Sequence, residues 1–206
     1  MKICFLASGG GGNLKFFHLS DELNILQNVE LYVIADRECG SVEYARKHNI
    51  YTKIITYNRG YNNTLLDELA YINPDIIITN WYKIIDENIV SLYKGRLINL
   101  HYSLLPAFAG LIGLAPIEEA YKKKCKYIGV TCHYVDTGVD SGEVISQAVV
   151  KADIPIQLAI QKTFEKGCLI LLNSVIRLSQ DEIIEISINN QFSFSPSLRF
   201  EADLFK

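Results

Sequence analysis

"KICFLASGGGGNL", residues 2–14, decides how this chain is read: a short apolar run stops at four glycines, and a helical pattern follows. An apolar run of that length, closed by glycine, reads as a buried strand. Three more runs follow at similar intervals, "VELYVIA" (29–35), "YTKIIT" (51–56) and "DIIIT" (75–79). Helical patterns fall between them. Asn13 to about Gln27 carries Leu14, Phe17, Leu23 and Leu26 on a rough stripe, Ser41–His48 reads as a short helix, and Asn63–Tyr71 has Leu65, Leu66 and Leu69. Strands alternating with helices predict an α/β fold, a Rossmann-like, mostly parallel twisted sheet with helices on both faces.

The second half changes character. After "RLINL" a loop passes Pro106, Gly110, Gly113 and Pro116, and a helix runs to about Lys124. "YIGVTCHYV" (127–135) and "GEVISQAVV" (142–150) are close enough to pair as a hairpin-like unit. Between Pro155 and about Leu178, Ile156, Ile160, Phe164, Cys168 and Val175 recur at helical spacing, with proline suited to the first turn. Residues from 183 onward read as one or two strands and an irregular tail. No repeat or linker divides the chain, so the expectation is one domain over 1–206, with a phosphate-binding half (1–100), a catalytic half (101–182) and a tail (183–206).

Composition narrows the function. The 206 residues are 49% hydrophobic, enough for a sizeable core, and the formal net charge of −3 gives no general affinity for nucleic acid. The apolar run at the N-terminus is too short for a signal-peptide core, and no later run reaches the length of a membrane span, which predicts a cytoplasmic protein. Five cysteines, at 4, 39, 125, 132 and 168, form no C-x-x-C pair and suit reduced thiols better than disulfides or a zinc site. No two histidines stand at metal-ligand spacing, so no metal is expected.

Two stretches carry candidate chemistry. In "SGGGGNL" (8–14), glycines let main-chain amides approach a ligand and the following helix favours an anion, which makes Gly11, Gly12 and Asn13 candidate phosphate donors. A flexible turn is the competing reading. The dinucleotide fingerprint would need a third glycine where Leu14 stands, so a dehydrogenase using Asp36 for a ribose is the weaker rival. In "LINLHYSLLPAF" (97–108), Asn99 and His101 leave the carboxyl end of a strand, where open α/β sheets collect ligands. Asp140, in the turn-rich "YVDTGVDSGEVISQ" (134–147), could fold over the same edge. Each alone has a plain alternative as a cap, a core histidine or a turn residue.

Together these residues resemble a known family. "INLHYSLLPAFAG" (98–110) is similar to the N-x-H-x-S-L-L-P-x-x-x-G signature of the folate-dependent formyltransferases, and "VDTGVDSGEVISQ" resembles their second, aspartate-bearing motif. The resemblance covers roughly residues 1–178. It implies the formyltransferase fold and transfer of a formyl group from 10-formyltetrahydrofolate, as co-substrate, to a primary amine, with Asn99, His101 and Asp140 catalytic. The small size and the glycine loop most resemble the branch acting on glycinamide ribonucleotide in purine biosynthesis; the alternative is a nucleotide-linked amino sugar, and "GLIGLAPIEEAY" (110–121) is similar to the tRNA and sugar branches. The resemblance further implies a glycine loop holding the acceptor's phosphate, a folate pocket lined by Lys83, Ile84, Ile85 and Asp140, and Glu165 near the acceptor. Departures are Gly12 where serine is usual, Tyr102 where proline is usual, and Lys83 where arginine is common. Expected partners are small molecules, neither nucleic acid nor membrane, with a homodimer left open.

Overall fold

A computed structural model describes residues 1–26, 28–60 and 63–179 and the backbone of Phe194–Ser195. The chain divides into two compact units, the first Met1–Asn99 and the second from Leu100 onward.

In the first unit strands and helices take turns: β1 (Lys2–Ala7), α1 (Gly12–Glu22), β2 (Glu30–Ala35), α2 (Gly40–Lys47), β3 (Tyr51–Ile54), α3 (Asn63–Ile72), β4 (Ile76–Asn80) and α4 (Glu87–Leu92), leading into β5 (Leu97–His101). All strand pairings here are parallel: β3 with β2, β2 with β1, β1 with β4, and β4 with β5. Successive residues of a strand face opposite sides. Ile3, Cys4, Phe5 and Leu6 are all fully buried, so both faces of β1 are covered. That double burial is why the strand reads as an unbroken apolar run instead of an alternation. Phe17 of α1 meets Phe5 edge-to-face, with ring centroids 5.4 Å apart. Val42 and Ala45 of α2, and Leu65, Leu69 and Ile72 of α3, complete the apolar packing.

In the second unit, α5 (Ala115–Lys122) precedes two long strands, β6 (Tyr127–Tyr134) and β7 (Val144–Lys151), which pair antiparallel from Tyr127↔Lys151 to His133↔Val144. The register shifts between Cys132 and His133. A bulge of this kind locally re-aims the side chains beyond it. α6 (Ile156–Ser179) buries an unbroken run from Lys166 to Ile176. A side chain at Gly167 would come within 3.0 Å of Leu100 and 3.4 Å of Val130, which sets how closely this helix approaches the strands. β8 (Phe194–Ser195) pairs antiparallel with β7.

The predicted alternation is observed, with one added element: α4 lies in a segment whose six residues are too few to show a helical period. The first helix ends at Glu22, earlier than predicted, and Gln27 lies outside the described residues. The strands expected from 183 onward also lie outside them, apart from Phe194–Ser195.

Candidate active site

The second unit builds its polar centre from three places in the chain. His101 is the last residue of β5, and Asp140 lies in the loop between β6 and β7. Their side chains meet, with His101 Nδ1 3.2 Å from Asp140 Oδ2. The same carboxylate oxygen accepts the Gly110 amide at 2.8 Å, and Oδ1 lies 3.6 Å from His133 Nε2. Asp140 takes a left-handed backbone conformation, φ 52°, which an aspartate tolerates better than most side chains. Its loop is shaped by Asp136, whose Oδ1 accepts the Gly138 amide at 3.0 Å and the Ser141 hydroxyl at 2.8 Å.

The loop after β5 is held from below. Thr131 on β6 donates its hydroxyl to the Ser103 carbonyl (2.7 Å) and accepts the Leu105 amide (3.1 Å); Gln147 on β7 donates to Thr131 (2.9 Å) and to the Leu105 carbonyl (3.2 Å). This bracing brings the Phe108 carbonyl to 3.1 Å from His101 Nε2. His101 and His133 are both buried. Burial pulls the His101 imidazole below its usual pKa, while the Asp140 charge and the Phe108 carbonyl act in the opposite direction. Burial would raise the Asp140 carboxyl, but hydrogen bonds from His133 and Gly110 and the neighbouring imidazole charges outweigh it, so its pKa lies below the ordinary carboxylate value.

Of the residues singled out in the sequence, His101 and Asp140 are thus brought together. Asn99 lies two residues before His101 on β5, and a strand's period of two puts them on the same side. The Thr79 hydroxyl donates to Asn99 Oδ1 at 2.9 Å, which turns the amide nitrogen, the donor end, away from Thr79. Sequence reasoning missed His133, the Gly110 amide and the Phe108 carbonyl. The histidine sits in a strand that reads as plain apolar core, and the other two are main-chain groups.

The first unit holds the other candidates. Gly11, φ 77°, is the N-cap of α1, and no side chain caps that helix. A Cβ on Gly11 would stand 2.9 Å from Ser41 Cα, while Ser41 itself donates its hydroxyl and its amide to the Gly9 carbonyl at 2.9 and 3.0 Å. The loop is therefore fixed in shape, and an uncapped helix start suits an anion. Gly12 opens the helix and Asn13 is buried in its first turn. Asp36 is held by Arg37, which donates Nε and Nη2 to its two oxygens at 3.3 and 3.0 Å. Lys83 donates its amine to the Tyr57 carbonyl at 2.6 Å, Ile84 is exposed, and Ile85 is buried in the core. Glu165, on α6 of the second unit, accepts from Gln161 one turn earlier at 2.9 Å.

Among the described residues no group of three His, Cys, Asp or Glu side chains is placed to hold a metal ion, and no helix is long and apolar enough to cross a membrane. A carboxylate clamped between two imidazoles at a strand end is equipped for proton handling and for stabilising charge.

Comparison with known proteins gives the family. The family described as formyl transferase matches residues 1–164, and the chain belongs to that family. It is 29% identical over 173 residues to the chloroplastic phosphoribosylglycinamide formyltransferase of Arabidopsis thaliana, covering 77% of this chain and 59% of that protein. It is 28% identical over 131 residues to the formyltetrahydrofolate deformylase of Haemophilus influenzae, covering 61% of this chain and 46% of that protein. The chain thus spans about half the length of these relatives. Among solved structures, the phosphoribosylglycinamide formyltransferase of Streptococcus pneumoniae TIGR4 superposes with a TM-score of 0.74 at 29% identity, covering 87% of this chain and 99% of that one.

Proposed function

We propose that this protein transfers a formyl group from 10-formyltetrahydrofolate to the primary amine of glycinamide ribonucleotide, in purine biosynthesis and without a metal. The observation that carries the reading is the His101–Asp140 pair, 3.2 Å apart, at the end of the strand that also bears Asn99. In formyl transfer to an amine, the carbonyl oxygen gains negative charge as nitrogen attacks. The attacking nitrogen then loses a proton and the departing folate nitrogen gains one.

Each residue has a role in that sequence. Asn99 donates its amide N–H to the oxygen as it becomes anionic. His101, when protonated, lowers the energy of the same charge, and Asp140 favours its protonated form and orients the ring. Asp140 also assists the proton on its way between the two nitrogens. In this reading the Gly11–Asn13 loop receives the acceptor's phosphate, and Glu165 is assigned to the acceptor as the family resemblance implies. Ile84, exposed beside the half-buried Lys83, offers apolar surface to the folate; Lys83 braces the Tyr57 segment in this reading, and Ile85 supports it from the core. The setting is the cytoplasm, with small molecules as partners.

The test is a spectrophotometric assay of tetrahydrofolate formation with glycinamide ribonucleotide, several amino-sugar nucleotides, and no amine at all. Turnover that depends on glycinamide ribonucleotide is the expected result. Turnover with a sugar nucleotide alone moves the acceptor, and turnover without any amine makes the protein a deformylase.

A further inference from the structure

His101 hydrogen-bonds the Phe108 carbonyl through Nε2 at 3.1 Å, and its Nδ1 stands 3.2 Å from the Asp140 carboxylate in ion-pair contact. A neutral imidazole that keeps its one N–H on Nε2 for the carbonyl turns the Nδ1 lone pair toward the carboxylate, whereas the cation places a proton and a positive charge there. The Phe108 carbonyl is no incidental neighbour. Phe108 has φ 60°, a left-handed conformation that an aromatic side chain adopts only when its surroundings impose it. Its ring packs against the cluster of Ile117, Ala120, Ile128 and Val150, and the Gly110 amide two residues later is tied to Asp140. One short loop therefore presents a carbonyl to one side of His101 and an amide to the carboxylate on the other.

We propose that the Phe108 main-chain carbonyl is a positioning group for the formyl transfer assigned above, which holds the ring by its Nε2–H and keeps the protonated form of His101 within reach. The inference rests on that functional reading for its catalytic half and on geometry alone for the rest. The titratable groups acting on His101 are Asp140, which favours the cation, and His133, which opposes it. Burial opposes it as well. The carbonyl is thus one of two features that offset the desolvation of the ring, and removing it shifts the His101 midpoint down by about one pH unit, the equivalent of one net hydrogen bond.

Two variants at Phe108 isolate the backbone effect, because both remove the ring. Phe108→Asn tolerates positive φ, whereas Phe108→Val, branched at Cβ, does not. In protein labelled with 15N-histidine, with the His101 resonances assigned by their loss in His101→Gln, the valine variant titrates about one pH unit below the asparagine variant. If His101 must be charged for turnover, the alkaline limb of its kcat/KM profile moves down with it. Identical titration of the two variants overturns the proposal. Should the valine variant fail to fold, the wild type alone decides: the Nε2 proton of His101 must be visible, downfield and slow to exchange on both sides of its titration midpoint, and a missing or freely exchanging Nε2 proton overturns it. Separate titrations in a protein that formylates no amine support the positioning role and overturn the function to which it was attached.

Discussion

The glycine loop of the first unit and the His101 centre of the second are built from opposite materials. The loop at residues 9–13 presents main-chain amides and needs side chains only to keep out of the way, so its defining feature is the Cβ that Gly11 lacks. The centre in the second unit is a contact between side chains 39 positions apart, and its defining feature is a carboxylate with an imidazole on either side. A backbone site tolerates almost any side chain that leaves its path unchanged; a side-chain site fails when one functional group is exchanged. Substitutions in the two regions should therefore differ in kind, the first altering binding and stability, the second altering rate.

The largest effect is expected from Asp140→Asn. It keeps the shape and the Gly110 hydrogen bond but removes the charge that favours a protonated His101, so kcat should fall about a thousand-fold or more, within the usual range for a positioned acid or base. The alkaline limb of the pH–rate profile should shift down as well. An unchanged limb would show that the 3.2 Å contact carries no coupling. Next is Asn99→Ala, which removes one donor to the developing oxyanion; kcat should fall about a hundred- to a thousand-fold with substrate binding largely kept. Normal turnover in this variant would remove Asn99 from the mechanism.

Gly11→Ala probes the other region. At φ 77° and with Ser41 Cα 2.9 Å from the new methyl group, the loop must move, at a cost of about 1–2 kcal/mol in stability. The expected signature is a lower denaturant midpoint and a KM for the phosphorylated acceptor raised several-fold, with kcat nearly kept. A fall in kcat comparable to that of Asn99→Ala would erase the contrast between the two sites.

The same contrast explains what could be read from the sequence. The strand–glycine–helix units of the first hundred residues were legible because buried parallel strands read as apolar runs and glycines punctuate them. Asn99, His101 and Asp140 stood out as candidates only through two long motifs, since each alone passes for a cap, a core histidine or a turn residue. His133 was hidden for a different reason. It belongs to β6, all of whose residues from Ile128 to Cys132 are buried, and only the register shift after Cys132 alters the pairing at the position where it approaches Asp140. The Phe108 carbonyl and Gly110 amide have no side-chain signature at all. The reach of Lys83 to the Tyr57 carbonyl is likewise a matter of tertiary geometry that its residue type does not announce.

The smallest expected effect lies in stability against acid, and it separates the two partners of the centre. Burial lowers the folded-state pKa of His101, so below the ordinary imidazole value, near 6.5, the unfolded chain takes up a proton that the folded one resists, and stability falls as pH drops through that range. The Asp140 pKa is lowered too, so its contribution is present above the ordinary carboxylate value and is lost only as pH falls below about 3.8. His101→Gln should therefore flatten the dependence of unfolding free energy on pH between 7 and 5. Asp140→Asn should do the reverse there: the imidazole stays buried and loses its countercharge, so the slope between pH 7 and 5 steepens, while the loss below pH 4 shrinks. Urea titrations of the three proteins across this range measure the difference directly, and equal slopes for wild type and Asp140→Asn between pH 7 and 5 would mean that the carboxylate holds the ring in place without acting on its charge.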